Sequence, residues 1–258
     1  MSVLSVVLRI IGCVVFGLFL ALAVISNGMA QFTEHDNLQH AFIGMISEQM
    51  PAPNATDFAQ AKTDMMRECA GHESVNLAEM FEGAPNATVS CANVAEVASG
   101  QELVQLAAVA MFDAIYYKSY ACEFVDCLTT LPEQEKPMVL VSAHANAFFK
   151  DAMMGAIALA IVGIVLIAIA MRKPFRIAKA VGIEMIFVGA VMYAVTAVVI
   201  SGMLPAEAAG ATVGPVVQGL IGAMASSFAI VLAAGIILAA VGFVGERLLR
   251  KEKAHRKR

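Results

Sequence analysis

Five cysteines, five histidines and one acid set in an apolar run are the residues of this 258-residue chain whose types invite chemistry. Cys69, Cys91, Cys122 and Cys127 fall between two long apolar runs, and Cys13 falls inside the first of them. Such cysteines serve as disulfides, as exchanging thiols or as ligands of a soft metal. Zinc ligands arrive in pairs roughly two to four residues apart, and redox-active pairs show Cys-x-x-Cys. Neither spacing occurs here: Cys122 and Cys127 enclose four residues, and Cys69 and Cys91 are far apart. The four read as two structural disulfides of an oxidising compartment. Four cysteines allow three connectivities and sequence does not choose among them; locality leans towards Cys69–Cys91 with Cys122–Cys127. Positions five apart on one continuous helix point about 140° away from each other. The second pair therefore predicts a helix break at Glu123-Phe124-Val125-Asp126. Cys13 reads as a small apolar packing residue.

His35 and His40, flanked by Glu34 and Asp36, form the one cluster that resembles a metal site. A spacing of five does not place two histidines on one helix face, as three or four would. They read as hydrated surface residues just beyond the first apolar run. His72, His144 and His255 are isolated. No Gly-x-Ser-x-Gly, His-Glu-x-x-His, Walker loop or dinucleotide fingerprint is present. No catalytic residue, metal or cofactor is assigned, and an enzyme is not expected. Glu184 is different, because an acid within a membrane span is by default a hypothesis for an ion path or proton relay. It also lies five residues past Lys179, within snorkelling reach of a basic surface. Ala-Pro-Asn-Ala-Thr occurs at residues 52–56 and again at 84–88, giving Asn-x-Thr sequons at Asn54 and Asn86. Both are glycosylation acceptors by pattern, although Pro-Asn favours turns with or without sugar.

The elements that must position these residues follow from composition. Hydrophobic residues make up 59% of the chain and charged residues 15%, against roughly 45–50% and about 25% in soluble domains. With a mean hydropathy of +0.75, an ordinary soluble enzyme, a disordered tail protein and a basic nucleic-acid binder are all excluded. A helix needs about 20 predominantly apolar residues to span a bilayer, and four runs qualify. Val3 to about Ile25 is interrupted only by Arg9; Ala152 to Met171 carries no charge; Ala180 to Leu204 carries Glu184. Val216 to Val244 is 29 residues long, more than a bilayer requires, so it tilts or protrudes. Glycines and alanines crowd these spans and let helix backbones approach closely. Gly219-x-x-x-Ala223 and Gly235-x-x-x-Ala239 suit either bundling or oligomerisation. Tyr193, Thr196, Ser201, Gln218, Ser226 and Ser227 offer bonds between helices without marking a pathway.

Orientation is read from the cations. Arg9, the loop Arg172–Lys179 and the tail after the fourth span hold 12 of the 17 basic residues, and the positive-inside rule assigns that side to the cytoplasm. Residues 27–151 hold five bases against 17 acids, a net −12. Both termini are expected in the cytoplasm and residues 27–151 outside. Gly28-Met29-Ala30 resembles a signal-peptide cleavage site. The preceding apolar run exceeds the roughly 7–15 residues of such signals, so residues 1–26 are expected to remain as an anchor.

Between the spans, helical patterning dominates. Leu38, Phe42 and Ile46 recur every four residues, Asp57 to Cys69 forms a second stretch, and Ser99-x-x-Glu102 is a capping-box spacing. That box opens a helix running to about Tyr117. Met138 to Val141 reads as a short strand, and Ser142 as the cap of a helix continuing into the second span. The fold expected is an all-α integral membrane protein: four transmembrane helices (1–26, 152–171, 180–204, 216–244) with a mostly helical, disulfide-bonded extracytoplasmic domain at 27–151. Known four-span families do not fit: the chain has no tryptophan for a claudin-like motif and no Cys-Cys-Gly of a tetraspanin. The function expected is non-enzymatic: a plasma-membrane glycoprotein presenting its external domain for binding, sensing or assembly. Its partners would be the lipid bilayer and other membrane or envelope proteins, itself included as a homo-oligomer, and not nucleic acid. An oligomeric ion channel or small transporter is the alternative, and extracytoplasmic thiol–disulfide exchange a third.

Overall fold

The computed structural model describes residues 3–49, 53–77, 86–133, 135–171, 173–203 and 214–255. In chain order its elements are α1 (Val3–Phe32), α2 (His35–Gln49), α3 (Ala55–Glu68), β1 (Ser74–Asn76), β2 (Thr88–Ser90) and α4 (Cys91–Glu96). They continue with α5 (Gly100–Tyr116), α6 (Phe124–Thr130), α7 (Lys136–Leu140), α8 (Ala143–Met171), α9 (Pro174–Met203) and α10 (Gly214–His255). These fall into two compact units, one of residues 1–31 and 148–258, the other of residues 32–147.

In the first unit, α1, α8, α9 and α10 each contain a stretch long and apolar enough to cross a membrane. The chain is a multi-pass membrane protein. The helices exceed the apolar runs that define them: α8 begins at Ala143, because the Ser142 hydroxyl accepts from the Ala145 N–H at 3.3 Å and caps it. Pro174 opens α9, a position where its missing N–H costs nothing. Apolar contact centres on Phe16, Ala160, Ile167 and Val181. What brings the backbones together is absence of side chain. A Cβ on Gly163 of α8 would sit 2.6 Å from the Phe16 nitrogen of α1. One on Gly182 of α9 would run into the Ala239 nitrogen and lie 2.8 Å from the Gly235 carbonyl oxygen of α10. Gly235 and Ala239, the small-xxx-small pair, thus serve the α9–α10 seam within one chain. Gly219 and Ala223 belong to α10, their packing outside the described residues.

The second unit is built around α5. Ser99 caps it as expected, its hydroxyl accepting from the Glu102 N–H at 3.3 Å. Glu102 reaches back to the Ala98 N–H at 2.7 Å, one residue earlier than the reciprocal bond of a standard box. Leu103 and Ala107 turn into a core with Met65, Leu77, Val89, Val94 and Val97. Phe112 and Tyr116 turn into a second core with Leu38, flanked by Phe42 and Val141. The Tyr116 hydroxyl donates to the Thr33 carbonyl at 3.0 Å, and the Asn146 amide donates to the Thr33 hydroxyl at 3.1 Å. Thr33 is fully buried between them.

Three local expectations are corrected. Residues 74–76 and 88–90 form an antiparallel pair, Ser74 opposite Ser90 and Asn76 opposite Thr88, in a segment with no strand expectation. Met138 to Val141 is not a strand: residues 136–140 are α7, with Pro137 in its first turn, where a fixed φ suits a helix. The break near the second disulfide precedes its expected place. α5 stops at Tyr116, residues 117–123 are non-helical, and Phe124 already opens α6.

Candidate functional site

One face of α5 carries Leu106, Val109, Ala110, Asp113 and Ala114, spaced by three and four as helix geometry requires of a single stripe. This stripe floors a cleft of about 270 Å³ whose opposite wall is residues 86–90 and Asn93. The β1–β2 pairing holds that wall in place, and the Ser90 hydroxyl, which accepts from the Asn93 N–H at 3.2 Å, caps α4 beside it. Apolar floor, polar rim and one carboxylate make a small recognition surface. Such a cleft takes a side chain or a short segment rather than a large cofactor.

Asp113 also faces the other way. Its Oδ1 accepts from His35 Nε2 at 2.8 Å, while His35 Nδ1 donates to Asp36 at 3.1 Å. Both ring nitrogens therefore meet carboxylates, which suits an imidazolium. Three rings surround it: Phe112 at 5.4 Å, Tyr116 at 5.0 Å edge-on and Tyr117 at 5.5 Å stacked. Burial opposes the charge, yet the hydrogen bonds to Asp113 and then Asp36, with their charges, outweigh it and raise the His35 pKa. For the Tyr116 hydroxyl burial itself raises the pKa, and the hydroxyl donates to Thr33. The surface reading of His35 is thereby corrected. It clasps α2 to α5, whereas His40 is exposed.

No family model, curated protein or solved structure matches this chain.

The remaining sequence-selected residues are dispersed. Cys69 pairs with Cys91, tying the end of α3 to the start of α4, and Cys122 pairs with Cys127 across the start of α6; Cys13 is free. Cys127 is fully buried, whereas Cys69, Cys91 and Cys122 are half-buried. Asn54 is the N-cap of α3, its side-chain oxygen accepting from the Thr56 and Asp57 N–H groups at 3.1 and 2.9 Å. Asn86 is exposed on the rim of the cleft. Glu184 lies against α1: a Cβ on Gly17 would fall 2.7 Å from its Oε1. Among the described residues, no group of three or more His, Cys, Asp or Glu side chains is placed to hold a metal. Asp113, and its pairing with His35, escaped sequence reasoning because 78 residues separate the two. The one available signal was Asp113, the sole charged residue in the apolar stretch 106–116 of α5.

Proposed function

We propose that this is a non-enzymatic plasma-membrane protein whose residues 27–151 form an extracytoplasmic module for binding or assembly with other membrane or envelope proteins. Both termini lie in the cytoplasm on this reading, and Asn54 and Asn86 lie on the face where glycans are added. The observation that carries it is the cleft along α5, set in a disulfide-bonded unit with its own apolar core. The net charge of −12 over residues 27–151 favours a partner with a basic face, through steering and electrostatic complementarity. Mild crosslinking of the full chain in its own membranes, followed by a pull-down, tests this. A discrete adduct, with a partner or a second copy, is expected and is lost in Thr88→Arg, which fills the cleft. Recovery of no adduct at all overturns the reading.

Glu184 sustains a second reading, an oligomeric channel or small transporter, because Gly17 leaves space for an acid within the helix bundle. Ion flux through the reconstituted protein, altered by Glu184→Gln, would place this reading first.

A further inference from the structure

Arg9 of α1, Arg176 and Lys179 of α9 and Glu246 of α10 converge on a cavity of about 350 Å³ in the four-helix unit, walled on its apolar side by Met171 and Ile183. Three cations face one carboxylate. Glu246 is shared between Arg176 Nε at 3.5 Å and Lys179 Nζ at 4.0 Å, both long for ion pairs. Arg9 has no carboxylate within 4.0 Å among the described residues. An excess of two positive charges is thus held open in a concave site.

The site is also built to keep its shape. Lys179 Nζ lies 3.9 Å over the Phe243 ring, and a Cβ on Gly242 would fall 2.6 Å from the Lys179 nitrogen, so this lysine is fixed from both ends. Below the cavity, Ile183, Phe187 and Val191 follow one another at intervals of four along α9, all exposed. A cationic head site thereby continues into an apolar track on the same helix face. Basic pockets between membrane helices suit phosphate-bearing head groups.

We infer that this cavity binds the phosphate of an anionic phospholipid, with Arg9, Arg176 and Lys179 around the head group and an acyl chain along Ile183, Phe187 and Val191. The inference does not rest on the reading of residues 27–151. The ligand chemistry is a phosphate ester, and a soluble phosphate would satisfy the cations without using the apolar track.

Native mass spectrometry of the detergent-solubilised full chain, with equimolar phosphatidylglycerol and phosphatidylcholine, tests it. Retention of phosphatidylglycerol over phosphatidylcholine is expected. Arg9→Gln and Arg176→Gln, both exposed, should each weaken retention about fivefold, whereas Glu246→Gln should strengthen it. Equal retention of the two lipids overturns the inference. So does an undiminished preference in both arginine variants, which would mean diffuse attraction to the basic tail. Equilibrium dialysis against inorganic phosphate separates the sources: uptake of phosphate without any lipid preference overturns the lipid assignment.

Discussion

In the four-helix unit glycines let backbone meet backbone, Gly163 on Phe16 and Gly182 on Ala239, whereas residues 32–147 are joined by sulfur and by side chains bonded to backbone. The difference follows from the solvent each unit is suited to. Lipid tails are as apolar as leucine, so helices in a bilayer gain little by hiding hydrophobic surface and associate through close packing instead. A small unit in water must offset its chain entropy with a modest core, here against the self-repulsion of a net −12 across residues 27–151. There a covalent link that restricts the unfolded chain contributes a large share of stability.

The largest expected effect breaks the comparison on its aqueous side. Each disulfide should contribute about 2–4 kcal/mol, against about 5–15 kcal/mol for a whole domain. Replacing Cys69, Cys91, Cys122 and Cys127 with serine should unfold residues 32–147 while the membrane helices persist. Circular dichroism and limited proteolysis in detergent will report it; equal protease resistance in the variant would mean the sulfurs are dispensable.

The matching break on the membrane side is Gly182→Leu. Its side chain has nowhere to go but into α10, and overpacking of this kind costs about 1–3 kcal/mol. Gly155→Ala is the control, since a Cβ there meets nothing within 4 Å. Thermal unfolding in detergent should separate the two variants clearly. If both melt like the parent, close backbone contact is not what holds α9 to α10.

Asn54 sharpens the comparison on a finer scale, because the residue is both helix cap and sequon. Asn54→Ala should destabilise residues 32–147 by about 1 kcal/mol, and Asn54→Asp should not, since aspartate caps equally well. Gel mobility of both variants from a glycosylating host reports the sugar separately.

The smallest effect belongs to His35. Its folded pKa is raised above the ordinary value of about 6.5, so its contribution is complete below that pH and is lost as pH rises through the raised value. Because Asp36 is largely and Asp113 partly exposed to water, the contribution should be about 1 kcal/mol or less. Stability of the parent should therefore fall between mildly acidic and alkaline pH relative to His35→Gln. An identical pH profile for the two would dissolve the clasp.

What the sequence made legible was what local rules govern. Ala152 to Met171 is a span because it contains no charge, and Ser99 opens a helix because a hydroxyl can take its orphan N–H. Strands of three residues are too short for an alternating pattern to register, which hid β1 and β2. Met138–Val141 misled because an apolar run of four fits a strand or a helical turn equally, and Pro137 decides between them. The His35–Asp113 clasp and the cleft were illegible for another reason: each is made by chain folding back across dozens of residues. The aromatic residues that surround His35 look, in sequence, like ordinary core.

The order of the two disulfides along the chain bears on how the protein is made. Chains emerge from synthesis N-terminus first, so Cys91 follows Cys69 at a distance of 22 residues, before Cys122 has appeared. Cys127 then follows Cys122 by five. Of the three connectivities these four cysteines allow, only this one results when each joins the nearest unpaired predecessor among the four, Cys13 staying free. For a chain delivered to an oxidising compartment, pairing in order of emergence would reach this connectivity without reshuffling, whereas refolding from a fully reduced chain exposes all four thiols to one another at once.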